Sequence, residues 1–97
     1  MTKKETLNYL MKELGKLSGK CINRKEALDK GEKYFIHLEY NSMYGGYLLV
    51  EEDVTLGSIF SVFNINSMGP RLNYKTIVIQ LKGLIEGMKY IKNYNKS

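Results

Sequence analysis

Apolar residues recur at three- and four-residue steps through the last third of the chain: Tyr74, Ile77, Val78, Leu81, Leu84, Ile85, Met88 and Ile91. At about 100° per residue they fall on one broad arc, with Lys75, Lys82, Glu86 and Lys89 opposite. The pattern predicts a scaffold helix over Asn73–Asn93, with Asn73 as its N-cap. Its core residues are expected to be Leu81, Leu84, Ile85 and Met88, joined by Phe63. Gly83 and Gly87 lie one turn apart on the flank, where another stretch of backbone is expected to approach.

A second, narrower stripe (Leu7, Leu10, Met11, Leu14, Leu17) marks an N-terminal helix. Thr2-Lys3-Lys4-Glu5 is a capping box at its start; Gly15 weakens it and Gly19 ends it. Tyr9 falls on its outer side. Asn23-Arg24-Lys25-Glu26 repeats the capping pattern ahead of a helix of two turns or less that closes at Gly31. Cys21 and Ile22, between the two helices, read as small core fillers.

At Lys33 the period changes to two. Tyr34, Ile36, Leu38 and Tyr40 alternate with Phe35, His37 and Glu39, the signature of a strand. Gly45-Gly46 supplies the positive-φ residues of a tight hairpin, and Tyr47–Glu51 returns. Glu52, Asp53 and Gly57 bracket the next turn, Ser58–Ile65 makes a third strand, and Asn66–Arg71 leads into the last helix. A two-residue turn pairs Tyr44 with Tyr47 and puts Ile36, Leu38 and Tyr40 on one face with Leu49. The other face then carries Phe35, His37, Leu48 and Val50, and a slip of one residue would exchange the faces. Apolar groups on both faces make Phe35, His37, Leu48 and Val50 a candidate interaction surface, for a second copy or another protein. Scattered exposed apolar groups are the alternative account.

The expected architecture is a single α+β domain over residues 1–97, in two layers. Its order is α-(short α)-β-β-β-α, with a three-stranded antiparallel sheet and the N- and C-terminal helices together on one face. Charge sharpens this picture. Residues 1–33 hold nine Lys/Arg against five acids and residues 71–97 six against one. Residues 34–70 hold no Lys or Arg and four acids, Glu39, Glu51, Glu52 and Asp53. The helical ends are basic and the sheet acidic, so any phosphate partner is expected on the helices. A solvated lysine-rich surface is the plainer reading.

Candidate chemistry is sparse. One histidine and one cysteine cannot build a His/Cys metal cluster, and no phosphate-binding loop or dinucleotide fingerprint occurs. Glu51-Glu52-Asp53 lacks the spacing of a calcium loop. The expectation is therefore no enzyme, no cofactor and no metal. A lone cysteine, no secretory leader and no apolar run of roughly 20 residues point to the cytoplasm and away from the membrane. Arg71 and Lys75 enter the final helix where its dipole favours an anion, and Lys75 runs against that dipole.

The α-β-β-β-α order with basic residues entering the last helix resembles the double-stranded-RNA-binding domain. That resemblance implies phosphate contacts by Arg71, Lys75 and Lys82. The family's paired lysines are replaced here by Lys75-Thr76-Ile77-Val78, and the Gly45-Gly46 turn lacks its histidine. The tail Arg71-Leu-Asn-Tyr-Lys-Thr with Leu81-Lys-Gly83-Leu-Ile-Glu-Gly87 is similar to small proteins of bacterial mobile elements and phages, a likeness that brings no activity with it. The function expected is a non-enzymatic protein-interaction or accessory module. The alternative is nucleic-acid binding through the basic C-terminal helix.

Overall fold

The structure, a computed structural model, describes residues 1–43, 45–62 and 71–96. Its elements run α1 (Lys3–Ser18), α2 (Arg24–Lys30), β1 (Tyr34–Asn41), β2 (Gly46–Asp53), β3 (Ile59–Ser61) and α3 (Tyr74–Lys96). This is the α+β order that the pattern predicts, with an antiparallel sheet in the order β1-β2-β3. The helix starts follow their capping residues. Thr2 accepts from the Glu5 N–H while Glu5 accepts from the Thr2 N–H, and Asn23 and Asn73 accept from the N–H groups of Glu26 and Thr76.

α1 and α3 cover one face of the sheet. Leu7, Leu10, Met11 and Leu14 meet Ile77, Leu81 and Ile85, and Ile36 and Leu49 rise from the sheet between them. The buried stripe of α3 is narrower than its apolar arc. Ile77, Leu81 and Ile85 are buried, Leu84 and Met88 only partly, and Ile91 is 59% exposed, because the helix has outrun the elements it packs on. Gly83 and Gly87 are exposed, and among the described residues no other segment comes within 4 Å of where a Cβ would stand. The close approach is at Gly15, where a Cβ would fall 2.7 Å from Ile22 Cγ2 and 3.2 Å from the Lys20 carbonyl oxygen. Phe63 and the segment 63–65 lie outside the described residues, and the described part of the third strand is Ile59–Ser61.

The β1–β2 hairpin differs from expectation in register. Asn41 pairs with Gly46 and Tyr40 with Tyr47, so the paired strands end at Asn41 and Gly46. The Asn41 side-chain oxygen accepts from the Met43 N–H at 2.9 Å, starting a turn that a two-residue hairpin has no room for. The shift is even, so the faces are unchanged: Ile36, Leu38 and Tyr40 share a side with Tyr47 and Leu49. Gly46 is glycine for space as well as for its φ of 151°. A Cβ there would come within 2.7 Å of the Leu72 carbonyl carbon and closer still to its oxygen. The approach is tight because Tyr47 and Leu72 exchange two backbone hydrogen bonds, of 2.7 and 2.8 Å.

The opposite face corrects the sequence reading most. Phe35, Leu48 and Val50 are 6%, 6% and 0% exposed, so they lie inside the chain and present no surface to a partner. Phe35 joins Cys21 and Ala27 in a second buried cluster, with Val54 against it, because α2 seats itself there. The α1–α2 connection runs along β1, with the Ile36 N–H donating to the Cys21 carbonyl at 2.9 Å. As in a strand, neighbouring side chains part: Cys21 enters the second cluster and Ile22 the main core.

Candidate functional site

Each of the four acids of the middle segment has found a partner. Glu51 binds Lys20 at 3.0 Å, and Glu52 pairs with Arg24 and lies 2.9 Å from His37 Nε2. Arg24 also donates to the Val54 carbonyl at 2.6 Å and lies over the Phe35 ring, which stacks on His37 at 5.2 Å. Glu39 pairs with Arg71. Asp53 is buried and accepts from the N–H groups of Thr55 and Leu56, which hold its carboxyl below the usual carboxylate range. Lys20, Arg24 and Arg71 from the basic ends therefore fold onto the acidic middle and pair three of its four carboxylates.

This changes the expected phosphate contacts. Arg71, 13% exposed at its side chain, is turned to the Glu39 carboxylate and carbonyl, so it does not extend the line of lysines. Lys75 and Lys82 stay exposed, with no ion-pair partner among the described residues. Burial pushes the Cys21 thiol up, away from nucleophilic use. Among the described residues there is no group of His, Cys, Asp or Glu placed to hold a metal ion, and no helix is long and apolar enough to cross a membrane.

An opening remains where the sequence suggested none. Between α1 and the free edge of β1 lies a groove of about 720 Å³, with Leu7 and Met11 from the helix and Leu38, Tyr40 and Tyr47 from the sheet. Among the described residues its charged side chains are Lys3, Lys4 and Lys12, His37 also lines it, and none of the lining residues is an acid. Lys12 and Ile22 border a second depression toward α2, where Lys20 and Lys30 are already committed to Glu51 and Glu26.

The backbone along this groove is open. Tyr47 spends its N–H and C=O on Leu72, away from β1, so Tyr40 and Tyr47 form a non-hydrogen-bonded antiparallel pair. The main-chain groups of Tyr40, and by alternation of Leu38 and Ile36, consequently point outward from the sheet. The Ile36 N–H is met by Cys21, but the chain then turns off into α2 at Asn23. Leu38 and Tyr40 have no outward backbone partner among the described residues. Sequence reasoning missed this site because it depends on strand order. The lysine spacing along α1 was visible, but not that it overlooks a sheet edge.

No protein-family model matches the chain, and neither the curated proteins nor the solved structures contain a match.

Proposed function

We propose that the protein is a non-enzymatic binding module whose working surface is the edge of β1. A partner polypeptide adds to the sheet there as a further strand, lying in the groove beside α1. The observation that carries this reading is that the outward backbone groups of Leu38 and Tyr40, beside that groove, have no backbone partner among the described residues. Edge addition draws affinity from main-chain hydrogen bonds and specificity from pockets for alternate side chains. Natural sheets usually blunt such edges; among the described residues this one is met by backbone only as far as Ile36.

The test is selection of binders from a displayed library of random linear 12-residue peptides, against the wild type and Tyr40→Pro. The Tyr40 side chain is 59% exposed and its N–H points outward, so proline there removes a docking donor without removing a bond to β2. Binders recovered on the wild type should be lost on the variant. An empty selection, or binders indifferent to Tyr40→Pro, would remove the edge from consideration.

Nucleic-acid binding through α3 is the second reading, favoured by the exposed Lys75 and Lys82, about 10 Å apart along the helix. With Arg71 engaged, two phosphate contacts would give a slope of log affinity against log salt near −2 on a B-form duplex. Titration of double-stranded RNA and DNA at low salt tests it.

A further inference from the structure

We infer that the occupant of the β1 groove is an extended acidic peptide with apolar residues at alternate positions. This rests on the edge-binding reading above and specifies its partner.

The backbone fixes the spacing. Leu38 and Tyr40 each offer an N–H and a C=O to an incoming strand, two residues apart. Partner residues directly opposite them project to the same side of the sheet as the Leu38 and Tyr40 side chains, which is the side that α1 covers. There they meet Leu7, Met11 and Tyr47. The partner residue between them projects to the other face, alongside Glu39. Apolar side chains are therefore wanted at every second position, and only over a short stretch.

Charge fixes the class. Lys3, Lys4 and Lys12 all line the groove from α1, and Lys12 also borders the depression beside Ile22, so the helical wall above the apolar floor is cationic. Among the described residues none of the three has an ion-pair partner, although Lys3 also rests 5.2 Å from the Tyr74 ring centre. Lys3 and Lys4 lie in the first turn of α1, against its dipole, and a negative partner relieves that conflict. A second copy of this chain, docking edge to edge, would bring its own Lys3, Lys4 and Lys12 into the same groove. Like charges disfavour that arrangement. A nucleic acid would satisfy the lysines but has no alternating donors and acceptors to match the strand edge.

The experiment reads the composition of peptides that bind the wild type and depend on the open edge. Such peptides should carry a net negative charge and alternate apolar residues. A synthetic, fluorescently labelled binder should lose at least tenfold in affinity toward Lys4→Glu/Lys12→Glu, two exposed positions whose change should leave the far-ultraviolet spectrum intact. Repeating the selection on that double variant should yield basic peptides. N-methylation of the binder's backbone at alternate residues should also cost at least tenfold, and binding should slow amide exchange at Leu38 and Tyr40. Edge-dependent binders with no excess of acid, or unchanged affinity in the lysine variant, would overturn the acidic assignment while leaving the edge in place. Indifference to N-methylation, or unprotected Leu38 and Tyr40 amides, would overturn both. Labelled single-stranded RNA competing at equal concentration with the peptide would also overturn it.

Discussion

Arg71 and Glu39, 32 residues apart in the chain, are joined twice: the guanidinium holds the Glu39 carboxylate and donates to its backbone carbonyl at 3.3 Å. The contact ties the entry of α3 to β1. It also converts a residue that the sequence offers to phosphate into a structural clasp.

Replacing Arg71 by Ala should cost about 1–3 kcal/mol, since it strips partners from a partly buried carboxylate and carbonyl. Lys75→Ala and Lys82→Ala, which remove no such contact, should stay within about 0.5 kcal/mol. Urea midpoints of the three variants separate the two roles of the basic residues. Equal effects would mean that the clasp contributes nothing.

The α3 core can be ranked position by position. Leu81 is fully buried, and its change to Ala should cost about 2–5 kcal/mol. Leu84 is only half-buried at the rim of the cluster and should cost distinctly less. Thermal unfolding of both variants under one set of conditions gives the order.

Glycine substitutions should go in opposite directions. At Gly87, exposed and with open space around it, Ala should stabilise α3 by about 0.5–1 kcal/mol. At Gly46 the same change drives a methyl group into the Leu72 carbonyl and should break the Tyr47–Leu72 bridge. The measurement is chemical denaturation, with amide exchange at Tyr47 and Leu72 reporting the local loss.

Acid should weaken the fold through Asp53. Its carboxyl titrates lower folded than unfolded, because the Leu56 and Thr55 N–H groups favour the charged form. The stabilisation is thus fully present above the ordinary carboxylate pKa of about 4, and disappears as pH falls through the lower folded value. Glu5 and Glu26 shift in the same direction, the first through hydrogen bonds from Thr2 and the second through its bond to Lys30. Asp53→Asn keeps an oxygen for the two donors and removes the titration. Its urea midpoint should therefore fall less steeply than that of the wild type as the pH drops below about 4.

Local patterns proved legible wherever one segment decides its own state. The Thr2 and Asn73 caps, the period change at Lys33 and the grouping of Ile36, Leu38 and Leu49 on one face all follow from neighbours in sequence. Burial on the other face did not, because α2 reaches Phe35 only through tertiary packing. Counting charges identified an acidic middle but could not pair Glu39 with Arg71 or Glu52 with Arg24. The groove was hardest of all. Whether a strand sits at an edge, and how far a connection such as Cys21-Ile22 covers it, is decided by topology and not by composition.

The packing of α1 against α3 has a consequence for biosynthesis. Leu7, Leu10, Met11 and Leu14 find their partners on α3 only when Ile77, Leu81 and Ile85 have been made. At translation speeds of 5–20 residues per second, the 78 positions from Leu7 to Ile85 take roughly 4–16 seconds. Throughout that interval the nascent chain carries an uncovered apolar helix and a sheet without its main roof. The last helix thus sets the moment at which the core can close, and a ribosome stalled before Ile77 would hold a chain with every reason to aggregate.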